Sequence, residues 1–257
     1  MSMTLGHELG SDTAVILGTA LGSMTETMSF VESMIKDCET NPKPRAFAAS
    51  VHNAIASHVA LVLGARGACQ TFVHGSTSWA QSLFAATRVV AEGNAGPVIA
   101  GALDEWSEYI PSRSTGEGEA PMTSHDEGGG LLLLAPSASA RESCPTLRGV
   151  HLARARDPMT WLHGTLAGNE VDMLLFGDTR IEPGASLGRS ECTARSYESL
   201  VGAHPSAGAA ALVLAAEILR GKYDVSLLDL PKSIKSIGIA TISHLGDVAF
   251  AAIDGPR

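Results

Sequence analysis

Short runs of apolar residues alternate along the chain with longer segments in which apolar and small residues recur at helical spacing. The short runs predict buried strands at Thr13–Gly18, Thr71–Val73, Pro97–Gly101, Gly130–Ala135, Gly149–Arg154, Glu170–Phe176, Ile237–Ser243 and Val248–Ile253. The longer segments predict helices at Ser23–Asp37, Ala46–Leu63, Ser78–Glu92 and Ala207–Arg220. Because strands and helices alternate, the pattern predicts an α/β fold.

The length of 257 residues predicts a single domain, and the repeated pattern suggests two halves of similar build, about 1–110 and 126–257. The segment between them is rich in Ser, Gly and Glu, and its first part, Pro111–Gly118, has no apolar anchor. We therefore expect residues 111–125 to form an exposed loop and to be the first site of limited proteolysis.

Composition and charge exclude several classes of function. The hydrophobic fraction of 45% supplies a sizeable core, and 18 basic against 27 acidic residues give a net charge of −9. Because Lys and Arg form no basic face, we exclude a nucleic-acid-binding protein. The four cysteines are widely spaced and form no C-x-x-C pair, so we expect no metal site and no cofactor.

The chain shows no sign of membrane insertion or secretion. Its longest apolar runs, Leu131–Ala135 and Ala207–Ala216, are shorter than the roughly 20 residues that a membrane span requires. It also begins without a signal peptide. We therefore expect a cytoplasmic protein with reduced thiols and no membrane span.

A contiguous segment of the first half carries a series of motifs in a fixed order. Asn53 and His58 fit an N-x-x-x-x-H helix, and they are followed by the glycine-rich turn Gly64–Gly67, then by Gly75–Ser78 and Val98–Ala102. This order resembles that of the elongating β-ketoacyl synthases of fatty-acid and polyketide synthesis. The resemblance implies a thiolase-like, layered αβαβα fold in a shortened form.

The residue at the family's reactive cysteine is Ser76. Ketosynthase chemistry needs a thiolate at a helix N-terminus, where the helix dipole stabilises the anion. A serine hydroxyl is a far weaker nucleophile without an adjacent general base. The simpler interpretation of Ser76 is an N-cap of the following helix, and the alternative is an acylated nucleophile.

The resemblance continues more weakly in the second half, where the remaining catalytic groups are replaced. Gly177 falls on the position of the family's first catalytic histidine, in a segment that matches its V-D-Y-V-N-A-H-G-T motif. Glu198 falls on the family's lysine, and Ala203 falls on its second histidine. His204 follows one residue later and fits that role only in a shifted register. Earlier in the chain, Glu127–Gly130 resembles the family's G-E-G-A-G motif.

This combination resembles the chain-length factors, which are ketosynthase-like subunits that lack the cysteine and pair with an active ketosynthase. The short length resembles the compact ketosynthase-like proteins of aryl polyene pathways. The resemblance implies a subunit that is not an enzyme on its own and that acts in polyketide, aryl polyene or fatty-acid-type elongation. Its partner would be a catalytic ketosynthase, and the acidic net charge implies that an acyl carrier protein is reached only through that partner.

The resemblance also implies which elements form the dimer interface. In the thiolase fold, the strand before the nucleophile and the helix before that strand lie near the dimer axis. Here these elements are Thr71–Val73 and Val51–Leu63. The candidate interface and tunnel residues are Asn53, His58, Phe72, His74, Ser76 and Trp79, of which Phe72 and Trp79 are expected to add large apolar surfaces beside Ser76.

Two other functions stay open. His74 and Ser76 lie on the same side of an extended segment, which is compatible with a Ser76-dependent acyltransferase or hydrolase, although no G-x-S-x-G motif is present. The other alternative is an acyl-binding scaffold that forms a homodimer without a ketosynthase. His58 is also compatible with an ordinary core or interface histidine.

Overall fold

The computed structural model describes residues 9–36, 43–93, 96–109, 127–139, 142–177, 192–223, 225, 233–243 and 245–256. Within these residues the strands are β1 (Ala14–Thr19), β2 (Cys69–Val73), β3 (Val98–Asp104), β4 (Gly128–Leu134), β5 (Thr146–Arg154), β6 (Met173–Gly177), β7 (Thr193–Ser196), β8 (Ser236–Ile242) and β9 (Asp247–Asp254). The helices are α1 (Met24–Lys36), α2 (Pro44–Ser50), α3 (Ala54–Leu63), α4 (Ser78–Glu92), α5 (Pro158–Gly168), α6 (Glu198–Val201) and α7 (Ala207–Leu219).

The strands form two mixed sheets with related topology. The first has the order β2-β1-β3-β4, and the second has the order β5-β9-β8-β6-β7. In the first sheet β1 is parallel to β2 and β3, and β4 is antiparallel to β3. In the second sheet β6 is parallel to β7 and β8, and β9 is antiparallel to β8. The order β2-β1-β3-β4 therefore corresponds to β7-β6-β8-β9, with β5 as an additional strand.

Helices α4 and α7 form a middle layer between the two sheets. Successive side chains of a strand point to opposite faces of its sheet, so strands covered on both faces are apolar throughout. In β1, Ala14 and Ile16 contact the middle layer, whereas Val15 and Leu17 face α3 on the outer side. In the second sheet, Leu174 and Phe176 of β6 face α5 and the other outer layer. The predicted layered αβαβα fold is confirmed.

Several predicted boundaries differ from the structure. Strand β4, which we assigned to the second half, pairs with β3 along Val98–Asp104, so the first sheet extends beyond the predicted boundary near residue 126. The single helix predicted over Ala46–Leu63 is divided into α2 and α3, which lie at 92° to each other. Helix α5 and strand β7 were not predicted. The loop predicted at residues 111–125 lies outside the described residues.

No single helix among the described residues is long and apolar enough to cross a membrane. In the described part of the chain, one bent pair, α2 and α3, reaches the required length and composition when the two helices are taken together.

Candidate functional site

The sharp turn between β2 and α4, which we call the elbow, is a short 3-10 turn over Gly75–Thr77. Gly75 adopts a φ of 57°, in the left-handed region that glycine reaches without steric cost. The Ser78 hydroxyl lies inside the turn, where it accepts a hydrogen bond from the His74 N–H at 2.7 Å. The same hydroxyl lies 2.8 Å from the Thr19 carbonyl and 2.7 Å from the Gly75 carbonyl, and its single proton can be donated to either.

Ser76 is therefore not the serine that holds the elbow together. It lies within the 3-10 turn and is half-buried, whereas Ser78 is 2% exposed. The N-cap of α4 is Thr77, which makes no side-chain capping bond. The structural role that the sequence suggested for Ser76, capping the helix, is wrong, because the turn places that residue one position too early.

Gly177, which the resemblance assigns to the first catalytic histidine, has a neighbouring side chain in the space beside it. Gly177 is the last residue of β6, beside Thr241 of β8 in the sheet register. A β-carbon built on Gly177 would lie 2.6 Å from Cε2 of Tyr197 and still closer to the phenol oxygen. Gly177 is thus the residue type that this packing requires, since any side chain there would overlap the Tyr197 ring.

Tyr197 belongs to a buried hydrogen-bonded group that extends back to the elbow. Its phenol oxygen lies 2.9 Å from Thr241 Oγ1, and the indole Nε1 of Trp79 donates to the same Thr241 oxygen over 3.0 Å. Trp79 is in the first turn of α4, immediately after the elbow. The elbow and Gly177 are therefore linked by Trp79, Thr241 and Tyr197, none of which we singled out for this role from the sequence.

Ala203, which the resemblance assigns to the second histidine, lies between α6 and α7. Glu198, which it assigns to the lysine, is the first residue of α6. The neighbouring His204 is 8% exposed. Its imidazole packs against the start of β4, where a β-carbon on Gly128 would lie 2.8 Å from Nε2. His204 therefore contacts the Glu127–Gly130 motif.

A buried carboxylate fixes the ends of the elements around this region. Asp104 at the end of β3 is 5% exposed. It accepts hydrogen bonds from the Thr19 hydroxyl at 2.7 Å and from the Ala20 N–H at 2.9 Å. Ser206, which precedes α7, donates its hydroxyl to the other carboxylate oxygen. The Asp104 carboxylate thus connects the ends of β1 and β3 with the start of α7 through hydrogen bonds.

A second carboxylate lies at the rim of the elbow. Asp247 of β9 has one oxygen 3.6 Å from His74 Nε2 and the other 3.8 Å from Arg154 Nε. The Ser243 hydroxyl lies 3.3 Å from the first of these oxygens. The side chain of His74 is 47% exposed, so this ion pair is open to solvent and is weak. The contact nevertheless holds His74 towards the β8–β9 turn.

Beside this rim lies a wide cleft of about 520 Å³, lined by Arg154, Ala155, Arg156, Pro158, Ser243, Leu245 and Gly246. The N-terminus of α5 borders it and is capped by Asp157, which accepts hydrogen bonds from the Thr160 hydroxyl at 2.6 Å and the Thr160 N–H at 3.2 Å. These hydrogen bonds lower the pKa of Asp157. No group of three His, Cys, Asp or Glu side chains in the described part of the chain is arranged to hold a metal ion.

The remaining candidate residues divide into surface and core. Asn53 and His58 are exposed, and Phe72 of β2 is half-buried. Strand β2 is an edge of the first sheet, and its Val73 is 44% exposed. Trp79, expected to add an apolar surface beside Ser76, is 1% exposed and lies in the core. That expectation is wrong, because α4 is enclosed by both sheets and its first turn faces inwards.

No protein-family model and no curated protein matches the sequence. Solved structures do match its fold. The ishigamide ketosynthase/chain length factor matches with a TM-score of 0.76 at 19% identity, over 96% of this chain and 74% of that chain. A chain of the AntDE:AntF complex, a type II polyketide synthase acyl-carrier protein with its ketosynthase, matches with a TM-score of 0.75 at 15% identity, over 96% and 77%.

An oxazolomycin ketosynthase domain from Streptomyces albus matches with a TM-score of 0.61 at 16% identity, over 96% of this chain and 74% of that domain. Identities this low establish the fold and not the activity. These matches agree with the observed architecture of two sheets and three helix layers. The chain therefore has the thiolase-like fold of the ketosynthases.

Proposed function

We propose that this chain is a non-catalytic, ketosynthase-like subunit that pairs with an active β-ketoacyl synthase, in the manner of a chain-length factor. The observation that carries the proposal is the Tyr197 ring beside Gly177, which leaves no room for an imidazole where the first catalytic histidine would stand. The pathway would be polyketide, aryl polyene or fatty-acid-type chain elongation. Three described cysteines, Cys69, Cys144 and Cys192, are free thiols, which supports a cytoplasmic location.

The chemistry of the remaining groups supports this proposal. Decarboxylative condensation needs a thiolate to carry the acyl chain and two imidazoles to stabilise the enolate and the developing oxyanion. The corresponding positions are Ser76, Gly177 and Ala203. His204 packs against Gly128 and is buried, so it is not placed at the open side of the elbow.

The partner would be bound through the edge strand β2 and helix α3. An edge strand offers unpaired backbone groups that another strand can bind. Leu61 and Val62 of α3 are 78% and 84% exposed, and Val73 at the end of β2 is 44% exposed. Phe72 is half-buried and packs towards the middle layer. A ketosynthase partner covering β2 and α3 would form an interface of the obligate class, roughly 2,000 Å² or more. The acyl carrier protein would then dock on the partner, since this chain has a net charge of −9.

Co-expression with a catalytic ketosynthase from the native host tests the proposal. The purified chain alone should not condense acyl and malonyl thioesters, and Ser76→Cys should not restore the reaction, because both imidazole positions stay empty. In the intact complex, Phe72→Ala should lengthen the product if Phe72 borders the acyl tunnel. Condensation by Ser76→Cys alone, without any partner, would contradict the proposal.

One observation favours a second function, a Ser76-dependent acyltransferase or hydrolase. Asp247 lies 3.6 Å from Nε2 of His74, whose imidazole precedes Ser76 by two residues. A histidine held by a carboxylate is the usual activator of a serine nucleophile. Intact-mass measurement after treatment with a fluorophosphonate or an acyl thioester distinguishes the two functions. An adduct that Ser76→Ala and His74→Ala both abolish would support the hydrolase, whereas an unmodified chain supports the non-catalytic subunit.

A further inference from the structure

Three side chains from separate elements meet in the middle layer behind the elbow. Trp79, Tyr197 and Thr241 are 1%, 3% and 2% exposed, respectively. The Thr241 hydroxyl lies within hydrogen-bonding distance of both aromatic side chains, at 3.0 Å from the indole nitrogen and 2.9 Å from the phenol oxygen. Their polar atoms are therefore paired inside the core, where an unpaired indole or phenol would be unfavourable. We call these residues the Trp79–Thr241–Tyr197 cluster.

Glycines on two sides of this cluster let the rings approach the backbone. A β-carbon on Gly208 of α7 would lie 2.8 Å from Cε2 of Trp79, and a β-carbon on Gly177 would lie 2.6 Å from Cε2 of Tyr197. Both distances are shorter than any ordinary carbon–carbon contact. The two rings therefore fill the space between β6, β8 and α7 as far as the backbone itself.

The opposite side of the elbow is open. A β-carbon on Gly75 would meet no atom within 4 Å. The side chain of His74 is 47% exposed, and Ser76 is half-buried. The elbow therefore has an outer face that a ligand can reach and an inner face covered by the Trp79–Thr241–Tyr197 cluster.

We propose that this cluster closes the interior of the subunit to acyl chains, so that Trp79 and Tyr197 restrict an acyl thioester to the outer face around His74 and Ser76. This inference rests on the proposed function, since the acyl chain that is excluded from the interior is the one that the partner ketosynthase carries. To enter behind Ser76, an acyl chain would have to displace two buried rings and break both hydrogen bonds to Thr241. Truncating one ring removes this barrier and converts the middle layer into an acyl-binding cavity.

Calorimetric titration of the isolated chain with S-hexanoyl-N-acetylcysteamine, a small acyl thioester, tests this inference. Trp79→Ala leaves the Tyr197–Thr241 hydrogen bond in place and opens a cavity lined by these two residues and by apolar side chains of the middle layer. Engineered core cavities of about 150 Å³ with an apolar lining bind small apolar molecules. We expect saturable 1:1 binding to Trp79→Ala at least tenfold tighter than any binding to the wild type. Tyr197→Leu provides a second, milder variant, and circular dichroism verifies that each variant is folded.

Phe250→Ala is the matched control, because it truncates an equally buried ring in the outer cluster under α5, away from the elbow. It should not bind the thioester. Folded Trp79→Ala and Tyr197→Leu variants that bind no more tightly than the wild type would overturn the inference, and so would equal binding by Phe250→Ala. Because the titration uses the chain alone, its result is independent of whether a ketosynthase partner is found.

Discussion

The phenol of Tyr197 occupies the space into which a side chain on Gly177 would project, with Cε2 of the ring 2.6 Å from the β-carbon position. Tyr197 is also tied to the strand that ends at Gly177, since its N–H donates to the Phe176 carbonyl at 2.9 Å. The ring cannot move away without breaking its contacts with Thr241 and the strand. The glycine at position 177 and the tyrosine at position 197 are therefore a single packing arrangement.

Gly177→Ala should destabilise the chain. The added methyl group overlaps the Tyr197 ring, and overpacking of this kind typically costs about 1–3 kcal/mol in the free energy of unfolding. Urea denaturation followed by circular dichroism measures the change. The control is Gly164→Ala in α5, where a β-carbon would meet no atom within 4 Å; it should be stabilising by roughly 0.5–1 kcal/mol. A Gly177→Ala variant as stable as the wild type would contradict the packing described here.

Thr241→Val should also be destabilising, although it nearly preserves the volume of the side chain. It leaves the Trp79 indole N–H without its acceptor in the core, and a buried unsatisfied donor costs about 1–3 kcal/mol. The same substitution at the half-buried Thr146 of the outer strand β5 should change the free energy of unfolding by no more than about 0.5 kcal/mol. Equal effects at the two positions would show that Thr241 is not the centre of a hydrogen-bonded group.

Much of the fold could be predicted from the sequence because its signals are local. Helix α4 was predicted with its observed bounds, since its apolar positions end at Gly93, which closes the helix in the left-handed conformation with a φ of 69°. Strand β1 was visible as an apolar run because both of its faces are covered. Strand β7 was missed because its four residues, Thr193–Ser196, are mostly polar and only half-buried.

The candidate site was predictable only in part, because its contacts join residues far apart in the chain. The resemblance alone assigned Gly177 and Ala203 to catalytic histidine positions, and that assignment stays a prediction. Gly177 packs against Tyr197, the residue that follows β7, and no local pattern relates the two. Trp79 was expected at the surface because the sequence of α4 does not show that a sheet covers the helix on each side.

The pH dependence of stability should include a contribution from Asp157. Hydrogen bonds from the Thr160 hydroxyl and then from its backbone N–H lower the pKa of Asp157 in the folded state below its ordinary value of 3.8. A lowered folded-state pKa stabilises the fold above pH 3.8, and this contribution is lost as the pH falls through the folded-state value. The wild type should therefore lose stability in that range relative to Asp157→Asn, as measured by urea denaturation between pH 7 and pH 2.5.

Thr160→Val, which removes the hydroxyl donor to Asp157, should reduce the pH-dependent loss of stability that Asp157 causes. If the free energy of unfolding of the wild type instead rises relative to that of Asp157→Asn as the pH falls below 3.8, the sign is opposite and the capping geometry is contradicted.

Alkylation of the thiols should report on the proposed partner surface. Cys69 is exposed at the start of the edge strand β2. Burial, and then the nearby Asp172 carboxylate, raise the pKa of the half-buried Cys192 thiol, so less thiolate is present there near neutral pH. Iodoacetamide should therefore modify Cys69 before Cys192 in the isolated chain. In the complex with a ketosynthase, Cys69 should be protected while the rate at Cys192 is unchanged, and equal rates at Cys69 with and without the partner would exclude β2 from the interface.

We proposed above that this chain functions only as the partner of an active ketosynthase. The most direct test is an elongation assay with the chain, a catalytic ketosynthase from the native host, and their co-expressed complex, using acyl and malonyl thioesters of an acyl carrier protein. We expect a 1:1 complex that elongates the acyl group, and no elongation by this chain alone. Elongation by the isolated chain would contradict the proposed function. So would a ketosynthase that is fully active without this chain, while this chain stays monomeric or pairs with itself.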